Sequence, residues 1–172
     1  MAHRLAYQLN LSLKLFPLDL NMAPFDTNDL LTCWIPLQAV PALKDGGSSL
    51  LFATGSHRDF ALPYWYDIDD KDLEGRYSIA SHGPFEVGDC TFHHGWTLHS
   101  APANELRETR FAYAVTYVKD GVSTLTRGED LVRNPDGEDV QSYSSWIEKV
   151  GWGAVARHPD LPIVYRSSSK RS

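Results

Sequence analysis

The 172-residue chain is 42% hydrophobic and 22% charged, and 16 basic against 22 acidic side chains leave a formal charge of −6. One soluble domain with a real hydrophobic core is expected at this size. The acidic balance argues against a nucleic-acid or anionic-membrane partner, because both demand a basic face. No stretch approaches the roughly 20 consecutive apolar residues of a membrane span.

In chain order, residues 1–18 stand apart as an atypical N-terminal segment. Their leucines at 9, 11, 13 and 15 alternate with polar residues, which predicts a strand with one buried face over 8–15 and does not look like a targeting leader. Pro17 ends that pattern, and a Pro/Asp/Asn loop over 21–29 leads into a strand over 30–37. Residues 44–49 read as a turn, followed by a short buried strand over 50–54. Residues 59–84 lack periodicity and carry Tyr64, Trp65 and Tyr66 beside several aspartates, so a lid loop is expected there. Glycines and prolines at 83–89 punctuate a predicted hairpin whose later arm is 90–94. The strand over 110–118 has bulky odd positions and a smaller even face of Arg110, Ala112, Ala114 and Thr116. One amphipathic helix is expected near 140–150, and a frayed tail over 166–172.

Short strands separated by Gly, Pro and Asp turns predict a single all-β-dominated domain over 1–172, a sandwich or barrel-like jelly roll with few helices. Cys33 and Cys90 are the only cysteines, each in an apolar run. That usage points to a reducing, intracellular compartment rather than a disulfide scaffold or a Cys-rich zinc site.

His93, His94 and His99 fall within seven residues. Imidazoles joined by a carboxylate from elsewhere in the chain make an open site for a metal such as iron, while the plainer reading is packed or surface histidines. Arg110 opens a strand face that is otherwise small, which leaves room for a carboxylate against its planar fork; it could equally pair with Asp89 or Glu108. Tyr64, Trp65 and Tyr66 could form a ligand platform in a non-catalytic binding module, or pack the lid onto the barrel.

The stretches Thr32–Leu37, Gly47–Arg58, Gly88–His94 and Leu98–Asn104, followed by Arg110, stand in an order and spacing that resemble the phytanoyl-CoA dioxygenase family. The likeness runs from about Asp19 to Val118, and residues 161–165 are similar to the family's tail. The resemblance implies a double-stranded β-helix, the cupin-like jelly roll, here incomplete at the N-terminus. It also implies an Fe(II)/2-oxoglutarate-dependent dioxygenase that hydroxylates a small organic or acyl substrate with O2. In that family an HxD pair and a distal histidine hold the metal. The metal ligands would then be Asp19 and His99, and the 2-oxoglutarate site Arg110 and Trp34. Asn104 and the turn at residues 55–58 resemble structural signatures, with His57 capping a strand end.

The departure from the family pattern is at Pro17, which stands where the first histidine of HxD belongs and offers no metal ligand. Three readings follow. The upstream sequence replaces a different exon; the chain is an inactive jelly-roll pseudoenzyme or small-ligand binding module; or His93, His94 or His3 supplies the missing nitrogen. With only eighteen residues before Asp19, an exposed sheet edge or apolar face is expected, which invites a homodimer or aggregation.

Overall fold

The computed structural model describes residues 19–59, 76–106, 108–126 and 146–166. The first described element, α1 (Asp19–Met22), is a single helical turn. The strands are β1 (Phe25–Asp26), β2 (Leu30–Pro36), β3 (Leu51–Ala53), β4 (Ile79–Ser81), β5 (Thr91–His94), β6 (His99–Ser100), β7 (Ala112–Val118) and β8 (Ser123–Thr124). All pairings are antiparallel and form the sheets β5-β2-β7, β4-β3-β6 and β1-β8. This is the expected jelly-roll class.

The two three-stranded sheets lay their inner faces against each other. Trp34, Val40, Leu50, Phe52, Phe85 and Ala101 form the core between them, each 7% exposed or less, and burial of a large side chain of this kind contributes about 1.5–3 kcal/mol. A second core joins Leu20, Ala23, Phe25 and Leu30 to Trp146 and Ile147, with Phe25 stacked on Trp146 at 5.6 Å. The segment around 146 thereby braces the short helix α1. Residues 146–150 are helical, within the helix expected over 140–150.

Three expectations are corrected. Residues 79–81 of the expected lid are strand β4, paired with β3. The turn near 86–89 does form, with the Glu86 amide donating to Asp89 Oδ2 at 2.8 Å, yet its arms are not a hairpin. β4 joins β3 while β5 joins β2, so the turn carries the chain from one sheet to the other. Finally, β7 begins at Ala112, which leaves Arg110 just before the strand. The strand expected over 8–15, the aromatic triplet at 64–66, Pro17, His3 and residues 167–172 lie outside the described residues.

Candidate metal centre

β2 is the central strand of its sheet, and its alternation decides what enters the cleft. Thr32 and Trp34 share the inner face. In register, His93 of β5 and Thr116 of β7 flank Thr32, while Thr91 and Ala114 flank Trp34. The same alternation turns His94 to the other face, where its ring packs on His57 at 5.4 Å.

Between β5 and β6 the chain reverses, with the Thr97 amide donating to the His94 carbonyl at 2.8 Å. The fully buried Leu98 donates its amide to Ser56 Oγ at 2.9 Å, which assigns a structural task to the Gly55–Arg58 turn. This reversal hands the chain to the opposing sheet, where His99 pairs with Phe52 of β3. His93 and His99 therefore face each other across the cleft, ring centroids 4.5 Å apart, with Phe52 packed against both.

The third member comes from α1. The Leu20 amide donates to the Gly95 carbonyl at 3.1 Å, pinning the helix to the β5–β6 turn. From that position the Asp19 carboxylate reaches over the end of the inner face. Asp19 Oδ2 accepts a 2.6 Å hydrogen bond from Thr32 Oγ1 and lies 3.0 Å from His93 Nε2; Oδ1 lies 3.6 Å from His99 Nε2. One ligand atom from each of Asp19, His93 and His99 lies within 4.8 Å of the others.

Electrostatics hold Asp19 and His99 in metal-binding form. Burial works to raise the Asp19 pKa, but the hydrogen bond with His93, the nearby His99 and Thr32 outweigh it and hold the carboxyl below its ordinary 3.8. Burial pushes the His99 imidazole below its ordinary 6.5, with Asp19 opposing. His99 Nδ1 lies 2.9 Å from the Thr97 carbonyl and donates to it, so the lone pair sits on Nε2, which faces Asp19. His93 lacks such a brace, because its buried Nδ1 has no hydrogen-bond partner among the described residues. Two imidazole nitrogens and one carboxylate, on one side of a partly open cleft, fit a first-row divalent metal.

The other end of the inner face belongs to Arg110. Its Nη1 donates to the Ser48 carbonyl, and its guanidinium lies over the Trp34 ring at 5.5 Å. Trp34 is braced edge-on by Phe85 at 5.6 Å. Among the described residues neither Asp89 nor Glu108 pairs with Arg110, and Glu108 instead offers its carbonyl to the Asn104 amide at 2.7 Å. Burial lowers the guanidinium pKa without discharging it. Thr32 and Trp34 are two residues apart on one strand face, about 7 Å along it. A cation thus stands one step along the inner face from the Asp19 cluster, over Trp34, whose register partner on β7 is the small Ala114.

The structure brings Asp19 to His99 and Arg110 to Trp34, the four residues singled out in the sequence. His93 joins the first group and His94 does not. Thr32 was not foreseen, although its place two residues before Trp34 on a period-two strand was the available signal.

The phytanoyl-CoA dioxygenase (PhyH) family model matches residues 17–112, more than half of the chain. The chain belongs to that family. No curated protein matches. Among solved structures, this PhyH member is similar to the non-heme alpha-ketoglutarate-dependent epimerase SnoN from nogalamycin biosynthesis, with TM-score 0.64, 24% identity, and coverage of 91% of this chain and 56% of that one. The alpha-ketoglutarate-dependent carbocyclase SnoK of the same biosynthesis matches with TM-score 0.64 and 21% identity, over 88% of this chain and 55% of its own. SnoN in complex with Fe3+, alpha-ketoglutarate and nogalamycin RO matches with TM-score 0.61 and 26% identity, over 84% and 54%. The chain thus spans little more than half the length of these relatives. No helix among its described residues is long and apolar enough to cross a membrane.

Proposed function

We propose that the chain is an Fe(II)/2-oxoglutarate-dependent oxidoreductase that modifies a small organic substrate in the cleft between its two sheets. The observation that carries this reading is the pairing, on one inner face, of a carboxylate–imidazole cluster with a half-buried guanidinium. Asp19 and His99 would hold the metal, and Arg110 on its Trp34 platform would take the far carboxylate of 2-oxoglutarate through its fork. Iron bound there supplies the activation of O2 that couples oxidative decarboxylation of 2-oxoglutarate to oxidation of the substrate.

The protein's own contribution is placement. Thr32 fixes the Asp19 carboxylate, the Thr97 carbonyl fixes the His99 tautomer, and Phe52 walls the two imidazoles from the core. The small inner face of β7 leaves space for the oxo-acid beside Arg110. Substrate and O2 would enter from the open side of the cleft. The outer face of β5-β2-β7 carries exposed Leu31, Phe92 and Tyr117 in neighbouring register, a surface suited to a second copy of the chain.

Thermal denaturation tests the reading. Ligand binding to the native state raises the melting temperature, so 2-oxoglutarate should raise it only when Fe(II) or Mn(II) is present. A shift with 2-oxoglutarate in chelator, or with glycans and no metal, would assign the cleft to a binding module. A metal-dependent protein indifferent to 2-oxoglutarate would contradict the role of Arg110.

A further inference from the structure

We propose that His93 is the third protein ligand of the metal, replacing the nitrogen that Pro17 cannot provide. The inference rests on the metal-site reading above and makes the site a two-histidine, one-carboxylate centre drawn from α1, β5 and β6.

The chain has proline at position 17, so Asp19 and His99 alone would make a two-ligand site, and two ligands hold a ferrous ion poorly. The cleft nevertheless contains a second imidazole. His93 is 7% exposed, sits on the inner face opposite Thr32, and lies 3.0 Å from Asp19 through Nε2. Donors about 2.1 Å from an octahedral ion stand about 3 Å apart when adjacent. The separations of 3.0 Å and 3.6 Å from the two Asp19 oxygens to His93 and His99 are near that spacing. One ligand atom from each of the three lies within 4.8 Å of the others, so the side chains would draw together around an ion.

The polar contact that His93 makes among the described residues is directed at the carboxylate that would bind the metal, while its buried Nδ1 has no partner there. The contrast with His99, whose Nδ1 is held by the Thr97 carbonyl, makes His93 the weaker of the two imidazole ligands. The site should therefore bind metal, less tightly than a centre in which both histidines are braced.

Affinity alone does not separate a ligand from a residue that only orients Asp19, because an orienting partner is itself worth about 10- to 100-fold. The deciding experiment counts imidazoles. The metal-free chain is loaded with one equivalent of Cu(II), and electron spin-echo modulation from the remote imidazole nitrogens is recorded. Two coordinated imidazoles are expected in the unaltered chain, one in His93→Gln, two in His94→Gln, and two again in His93→Gln combined with Pro17→His. Mn(II) titration should show His93→Gln weakened by at least about 10-fold and His94→Gln unchanged. One imidazole in the unaltered chain, or a count that His93→Gln leaves unchanged, would overturn the proposal while leaving the metal-site reading intact. Absence of metal binding by both the unaltered chain and Pro17→His would overturn the metal-site reading and this proposal with it. A count of one on the unaltered chain overturns the proposal even if His93→Gln fails to fold.

Discussion

Replacing Arg110 with alanine separates the two tasks that the structure gives this side chain. One is structural: Nη1 donates to the carbonyl of Ser48, a residue only 4% exposed, and the guanidinium covers Trp34. Leaving a buried carbonyl unsatisfied costs about 1–3 kcal/mol. In a domain of this size each kcal/mol lowers the melting temperature by about 2–4 °C, so the metal-free variant should melt several degrees early. The other task is binding. A hydrogen bond between charged partners contributes about 1.5–3 kcal/mol, and about 1.4 kcal/mol is a factor of ten in affinity. Arg110→Ala should therefore weaken 2-oxoglutarate binding to the Mn(II)-loaded protein by roughly 10- to 100-fold. Calorimetric titration at a temperature where both forms are folded reads the second effect free of the first. Arg110→Lys should keep the charge, lose the fork, and fall between the two. Equal 2-oxoglutarate affinity in Arg110→Ala and the unaltered chain, alongside a lowered melting temperature, would reduce Arg110 to a clamp on the Ser48 loop and refute its assignment.

Further expectations follow from neighbouring contacts. Thr32→Val removes the 2.6 Å hydrogen bond to Asp19; denaturant unfolding should show a loss of about 1.5–3 kcal/mol, and Mn(II) affinity should drop as well. An added Cβ at Gly95 would stand 2.7 Å from Leu30 Cδ2 and 2.8 Å from Leu20 Cγ. Gly95→Ala should then cost about 1–3 kcal/mol and weaken Mn(II) binding by shifting α1, and unchanged metal affinity would show that α1 does not position Asp19. Both Asp19 and His99 have folded pKa values held below their ordinary 3.8 and 6.5, so the unfolded chain binds more protons. Metal-free stability should accordingly fall as pH drops below about 6.5, first through His99 and then below about 4 through Asp19; the pH dependence should flatten in His99→Gln. Light scattering across a concentration series should show self-association, reduced by Phe92→Lys on the outer face; a monomer at every concentration would remove the dimer.

Much of the sheet framework was legible because strand formers and alternation are local signals. Leu30–Pro36 is rich in the first and Ala112–Val118 shows the second plainly, and the two pair as β2 and β7. The partition of strands between sheets was not legible. A turn closed by Asp89 looks the same whether its arms pair with each other or with different strands, and only long-range pairing to β2 and β3 decides. The orientation of β5 was hidden for a related reason. Hydrophobicity would point Phe92 inward, yet Phe92 is 59% exposed and His93 is buried. The polar inner face is occupied by the site, so the usual inward preference of the aromatic yields to it. The anchor of Arg110 was equally out of reach, since Ser48 lies 62 residues away in sequence. What the residue order did carry was the pairing of Asp19 with His99 and of Trp34 with Arg110, through the resemblance to the family rather than through periodicity.

Anomalous diffraction from crystals of the chain grown with Mn(II) and 2-oxoglutarate would locate the metal and the oxo-acid in one experiment. A single strong peak bonded to Asp19, His93 and His99, with the oxo-acid's distal carboxylate on Arg110, is the predicted result. Ordered protein with no metal between α1, β5 and β6, or with the oxo-acid bound away from Arg110, would contradict it.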